Sequence, residues 1–267
     1  MADGKRLSVR IAGWSSLALV TALVVAVGIW FALDPGLRGS LSTQSRADNA
    51  LSDDFEQRIR QYLLDNPEVI IESLKQYETR RRAAELGEVA TMVQDRAQEI
   101  FNDPGSPVGG NPEGDVTLVE FFDYNCPYCR QAAPRMIEAE ANDPDLRIVY
   151  KEFPILGPDS MFAAIAALAA QKQGKYVTFH KALMQADGAA NESKVFEIAA
   201  AVGLDTERLQ KDMADPAIQG LIDRNLRLAF DLRITGTPGF VIGNEIIRGI
   251  VPLDTLEAVI ARAREAE

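Results

Sequence analysis

The sequence predicts an α/β domain, a mixed sheet covered by helices, preceded by an apolar N-terminal segment and a helical extension. Three observations carry this. The run VTLVEFF at Val116–Phe122 is almost continuously apolar, as expected of a strand buried on both faces. It leads into a helical stretch reaching about Ala141 and then a second apolar run at 146–153, which together make a βαβ unit. After a long helical stretch, two short runs at Gly239–Ile242 and Glu245–Arg248 precede an amphipathic helix carrying Leu253, Leu256 and Ile260, a ββα ending.

The 267 residues are 47% hydrophobic and 25% charged, an ordinary globular composition. A net charge of −11 argues against nucleic acid as a partner, because phosphate binding needs clustered positive charge. No internal repeat is present.

The first segment, 1–33, contains 23 uncharged residues from Ile11 to Leu33. About 20 such residues cross a bilayer core as a helix. Lys5, Arg6 and Arg10 precede the run and Asp34 follows it, so a cytoplasmic N-terminus is expected. The alternative is a cleaved signal peptide, whose apolar region is shorter and ends in a small-x-small site; here the exit reads Trp30-Phe31-Ala32. Both readings deliver the rest of the chain to the periplasm, either tethered to the inner membrane or free.

Residues 34–51 have linker composition, with Pro35 as a breaker. A helical extension is expected over 52–102. Phe55, Ile59, Tyr62 and Leu63 fall at helical spacing, and Asp65-Asn66-Pro67 ends one helix and opens another with proline in its first turn. The second helix is expected to run to about Phe101. Its heptad seam reads Ile70, Leu74, Tyr77, Arg81, Ala84, Glu88, Thr91, too polar for a sustained coiled coil. Packing on the chain's own domain and self-association both stay open.

The domain proper spans 103–267, with a helical insertion over about 159–232. Gly174, Gly188 and Gly203 are predicted to end helices there, and Asp215-Pro216 to begin one.

Its chemistry lies in Cys126-Pro127-Tyr128-Cys129. These are the only two cysteines, so a structural disulfide framework is excluded. With no second C-x-x-C and His180 as the only histidine, a four-ligand zinc site cannot be completed. At a strand-to-helix junction the first thiol sits at a helix N-terminus, where free N–H groups favour a thiolate. The second lies one turn on, placed to attack the mixed disulfide that the first forms. Cys126 is thus the expected nucleophile and Cys129 the resolving thiol. A Cu(I) site on the same two thiolates is the alternative. His180, beside Phe179 and Leu183, reads as a surface or packing residue.

Three segments, Glu120-Phe-Phe-Asp-Tyr-Asn-Cys-Pro-Tyr-Cys129, Tyr150-Lys-Glu-Phe-Pro-Ile-Leu-Gly157 and Thr235-Gly-Thr-Pro238, resemble the DsbA-type thioredoxin-fold proteins. The helices before them look like the N-terminal region of the suppressor-of-copper-sensitivity C type. The resemblance implies a thioredoxin fold, no cofactor beyond the Cys126–Cys129 disulfide, substrates among cysteine-containing exported proteins, and a membrane redox partner. It implies that Thr237 and Pro238 form a cis-proline loop that offers backbone groups to substrate. It also implies that Glu120 is an acid near the resolving cysteine, with Lys151 placed to pair with it and help move its proton. Tyr128 stands where the strongly oxidising pattern has histidine. Thr237 stands where that pattern has valine, and threonine there resembles the disulfide isomerases. Oxidase and isomerase both stay open.

Overall fold

The computed structural model describes residues 24–26 and 54–266. The expected membrane segment lies outside them, apart from helical residues 24–26, as do the whole linker and the first two residues of the extension. Among the described residues no helix is long and apolar enough to cross a membrane. The chain divides into two compact units, Met1–Glu78 and Thr79–Glu267.

In the first unit, residues 54–65 are helical and Asn66 interrupts them. Its side-chain amide donates to the Tyr62 carbonyl (2.8 Å). Helix α1 (Pro67–Asp95) then starts on Pro67, where a missing N–H costs nothing. Phe55, Ile59, Tyr62, Ile70, Leu74 and Tyr77 are all exposed.

Helix α1 stops at Asp95, short of the expected Phe101, and α2 (Ala97–Phe101) resumes after Arg96. Arg96 has φ −113° and ψ 11°, and its N–H bonds back to Val93 rather than one residue further (3.2 Å). Val93 and Ile100, on either side of this turn, join one apolar cluster.

The second unit then runs β1 (Val108–Gly110), β2 (Val116–Phe122), α3 (Pro127–Asn142) and β3 (Leu146–Glu152). The insertion follows as α4 (Pro158–Gln171), α5 (Tyr176–Gln185), α6 (Glu192–Ala201), α7 (Thr206–Asp212) and α8 (Pro216–Asp231). Strands β4 (Gly239–Ile242) and β5 (Glu245–Arg248) and helix α9 (Leu253–Ala266) complete it. The sheet order is β1-β3-β2-β4-β5. Strand β2 pairs in parallel with β3 and antiparallel with β4.

Because side chains alternate along a strand, β2 feeds two cores. Leu118 and Phe122 join one cluster, with Cys126, Cys129, Ile148 and Tyr150. Val119 and Phe121 join the other, with Val149 and Phe153. Most of the insertion packs on the first face, while Leu228, Ala229 and Leu232 at its end join the second cluster. Six buried alanines of α4, between Ala163 and Ala170, let neighbouring helices approach closely. Three of its helices open on side-chain caps: Asn191 accepts from Lys194 N–H, Asp205 from Arg208 N–H and Asp215 from Ala217 N–H. Each satisfies an N–H that the helix leaves unpaired.

Candidate active site

The two cysteines sit where β2 hands over to α3. Cys126 is the N-cap of α3, with extended φ −79° and ψ 118°, and Pro127 occupies the first turn. Both thiols are free. Cys126 is 4% exposed and Cys129 0%, so only Cys126 reaches solvent. Tyr128, between them, is 59% exposed.

The Thr237–Pro238 bond is cis, and the thiol of Cys126 donates to the Thr237 carbonyl (3.3 Å). The Pro238 carbonyl is occupied by the N–H of Gly249 (2.8 Å). The next residue, Gly239, pairs with Phe121 of β2. The sheet therefore sets the loop against the cysteines, 111 residues distant in sequence.

Burial pushes the Cys129 thiol well above its ordinary range, and the charge of Glu120 adds to this. Glu120 is 2% exposed, and burial pushes its carboxyl up to about 8. A small cavity of about 10 Å³, room for one water, is lined by Glu120, Tyr150, His180, Glu140 and Lys181 among others. Glu140 and Lys181 form an ion pair there (2.7 Å).

The expected pairing of Lys151 with Glu120 is absent. In the parallel register Glu120 lies opposite Tyr150, and Lys151 opposite Phe121. One residue along a strand moves a side chain to the other face, so Lys151 lies across the sheet from Glu120. There it is fully buried, and its ammonium donates to the Glu99 carbonyl (2.6 Å) and the Ser106 hydroxyl (2.8 Å). Burial lowers its pKa to about 8. Its geometry is that of a brace between β3 and the α2–β1 segment. Lys151→Met is therefore expected to cost about 1–3 kcal/mol by leaving two buried acceptors unpaired, while exchange with glutathione stays within about twofold. Denaturant unfolding and stopped-flow exchange on the same sample check both parts. A collapse of exchange at unchanged stability would return the lysine to the site.

Several residues around the motif escape sequence reasoning. His180 is buried, as one of its two expected settings had it, among Phe122, Tyr124, Tyr150 and Tyr176. Its Nδ1 lies 3.1 Å from the Tyr124 hydroxyl, and burial lowers its pKa to about 3. Tyr124 and Tyr176 both donate to Glu152 Oε1 (3.0 and 2.7 Å), whose carboxyl burial raises well above its usual range. Asp123, 1% exposed, accepts the N–H groups of Ile155 and Leu156 at Oδ2 and the Ser160 hydroxyl and Asn125 N–H at Oδ1. The Asp and Asn before the cysteines were visible signals, since such side chains commonly tie turns. The partners in the insertion were not.

Among the described residues no cluster of three or more His, Cys, Asp or Glu is placed to hold a metal ion. What remains is a dithiol whose outer sulfur faces a backbone carbonyl and whose inner sulfur is held from solvent beside a buried acid.

Comparison with known proteins agrees with this geometry. Residues 53–84 match the copper resistance protein ScsC N-terminal domain. A thioredoxin-like oxidoreductase from Silicibacter pomeroyi is 52% identical, with a TM-score of 0.63 over 64% of this chain and 98% of that one. The catalytic domain of Proteus mirabilis ScsC is 27% identical, with a TM-score of 0.61 over 66% of this chain and 98% of that one. The Na(+)/H(+) antiporter NhaA 3 of Salinispora tropica is 30% identical over 158 residues, 58% of this chain. The chain spans only 24% of that relative's length. The DSBA-like thioredoxin domain matches residues 117–261, more than half of the chain and nearly all of the stretch from β2 to α9, so this protein belongs to the DsbA-like thioredoxin domain family of thiol–disulfide oxidoreductases.

Proposed function

We propose that the protein exchanges disulfides with cysteine-containing exported proteins, forming or isomerising their bonds through Cys126 and Cys129. The observation that carries this is the pairing of an outer thiol, 3.3 Å from the Thr237 carbonyl, with an inner thiol kept from solvent. In the oxidising direction a substrate thiolate attacks Cys126 of the disulfide and Cys129 leaves as a thiolate. A second substrate thiolate then displaces Cys126, so the substrate gains the disulfide and the enzyme is left as a dithiol. In the isomerising direction the Cys126 thiolate attacks a substrate disulfide, and another substrate thiol later releases it. A membrane redox partner reoxidises the dithiol after each oxidising cycle, whereas the isomerising cycle returns the dithiol by itself and needs the partner only to keep it reduced.

Glu120 is the group proposed to receive and return the Cys129 proton, because its charge acts on that thiol. The water-sized cavity against its carboxyl, reaching Glu140 and Lys181, supports proton exchange with solvent. Thr237, held in place by its cis bond to Pro238, is proposed to present backbone to an extended substrate. The setting we propose is the periplasmic side of the inner membrane, with residues 11–33 as anchor or signal. The exposed Ile70, Leu74 and Tyr77 support self-association through residues 52–102, which would set several sites around one substrate.

The deciding experiment equilibrates the purified protein in glutathione buffers and reads the oxidised fraction. A potential near about −120 mV marks a disulfide donor, and one near about −180 mV or below marks an isomerase or reductase. Absence of a Cys126–Cys129 disulfide at every poise would end the oxidoreductase reading.

A further inference from the structure

We propose that His180 is a positioning residue for Glu120: Glu152 and Tyr124 fix its hydrogen on Nδ1, and its bare Nε2 serves the cavity it shares with Glu120, where it holds the Glu120 proton. This rests on the reading of Glu120 as the group that receives and returns the Cys129 proton.

Two buried acids flank one ring. In the parallel register Glu120 lies opposite Tyr150, and Phe122 opposite Glu152, so both carboxyls belong to the same face of the sheet. On that face His180 of α5 packs against Phe122 and Tyr150, with ring centroids 4.7 and 4.5 Å away. Tyr176 stacks on it at 13° and Tyr124 meets it at 60°. A ring wedged among four others keeps each nitrogen on its own side.

The position of the ring hydrogen follows from counting donors. Tyr124 and Tyr176 each have one O–H, and both give it to Glu152 Oε1 (3.0 and 2.7 Å). Glu152 Oε2 is buried without a partner among the described residues, which leaves it to carry the proton of a neutral carboxyl. Burial favours that neutral form, and the charges of Asp123 and Glu120 add to it. Tyr124 thus has no hydrogen left for His180, whose Nδ1 lies 3.1 Å from its hydroxyl. The bond forms only with Nδ1 as donor. Burial, with the charge of Lys181 adding, lowers the His180 pKa to about 3, so the neutral ring has one hydrogen and Nε2 is an acceptor.

Nδ1 being taken, Nε2 is left for the cavity that His180 and Glu120 both line, about 10 Å³ and room for one water. An acceptor there holds a protonated Glu120, directly or through that water, and a hydrogen bond to the neutral acid disfavours its ionisation. The other charges on the cavity, Glu140 of α3 and Lys181, are paired with each other (2.7 Å). Burial pushes the Tyr150 phenol up, so it stays neutral, and α8 brings the neutral Asn225, which donates to the Glu152 carbonyl (3.2 Å). When Cys129 leaves a disulfide, the Glu120 O–H bond breaks and an S–H bond forms. In the opposite direction Cys129 waits for the ionised minority of Glu120.

His180 is the chain's only histidine, so nitrogen-15 spectra of the labelled protein read a single ring. They are expected to show a protonated Nδ1 and a bare Nε2 at neutral pH, and the opposite tautomer overturns the proposal. The kinetic test mixes reduced protein with saturating oxidised glutathione and follows release of the second glutathione. The Cys126 thiolate attacks the disulfide and one glutathione leaves as a thiolate. Cys129, its proton passed to Glu120, then displaces the other, so the protein dithiol is oxidised and the glutathione disulfide reduced to two thiols. This second phase should rise with the ionisation of Glu120, at about pH 8. His180→Phe keeps a ring in the cage but removes the acceptor, so the midpoint should fall by about one pH unit and the phase at pH 7 quicken about fivefold. An unshifted midpoint overturns the role of His180, and the spectra of the unaltered protein decide alone if the variant does not fold. A flat profile in Glu120→Gln beside an unshifted His180→Phe removes His180 only. A Glu120→Gln profile identical to that of the unaltered protein overturns the relay and the role of His180 with it.

Discussion

Cys126→Ser is expected to lower the rate of exchange with a substrate disulfide by about a thousandfold or more, because a hydroxyl cannot replace a thiolate as the attacking group. Cys129 cannot take over. It is 0% exposed, and burial together with the Glu120 charge raises its thiol well above the ordinary range, so few molecules carry a reactive inner thiolate. Cys129→Ser should fail in a different way. Attack by Cys126 proceeds and the mixed disulfide accumulates, since nothing one turn along α3 resolves it. Mass spectrometry of each variant after incubation with oxidised glutathione distinguishes them: no adduct for Cys126→Ser, a stable one for Cys129→Ser. The reverse pattern would mean that the roles of the two thiols are exchanged.

Glu120→Leu is expected to stabilise the protein at neutral pH and to lose that advantage in acid. The unfolded chain releases the Glu120 proton near the ordinary 4.5, while the folded chain keeps it until about 8. Between those values the folded state binds more protons, so stability falls as pH rises. Ionisation is disfavoured because the carboxylate loses water on burial. Carried to pH 7, this removes on the order of 3 kcal/mol, which vanishes below about pH 4.5. The variant's melting temperature should therefore exceed the parent's by roughly 6–12 °C at pH 7 and converge on it towards pH 4.5. Calorimetry across that range is the check, and a difference independent of pH would show that Glu120 does not titrate as its burial implies. Activity moves the other way. Glu120→Gln keeps the shape but cannot exchange a proton, so the pH dependence of resolution by Cys129 should flatten. Unchanged rates at every pH would rule out the relay.

Much of the fold is legible without coordinates. Strands β2, β4 and β5 fall on the residues that their apolar runs mark, and β3 ends one residue earlier, at Glu152. The caps at Asp215 and Pro216 are where the sequence places them. These are local signals, written in residues that touch each other along the chain. Strand β1 is different. Val108-Gly109-Gly110 has no apolar period, and it is a strand only because β3 supplies its hydrogen bonds. The halt at Arg96 is also invisible locally, since no proline or glycine marks it between Val93 and Phe101.

The site divides in the same way. Four residues of sequence are enough to place an outer thiol at a helix N-terminus and an inner one a turn behind, because a C-x-x-C after a buried strand is a matter of covalent spacing and helical pitch. The same stretch shows a carboxyl inside an apolar strand, and so an acid that burial must perturb. What Glu120 faces depends on how β2 and β3 are registered. That register sets Tyr150 beside it and sends Lys151 through the sheet to Glu99 and Ser106. Asp123 likewise acquires its meaning from Ile155, Leu156 and Ser160, more than thirty residues away. Chemistry carried by neighbours in sequence survives any arrangement of the chain, whereas a partner on another strand is chosen by which face it occupies, and a period of two residues makes that choice all or nothing.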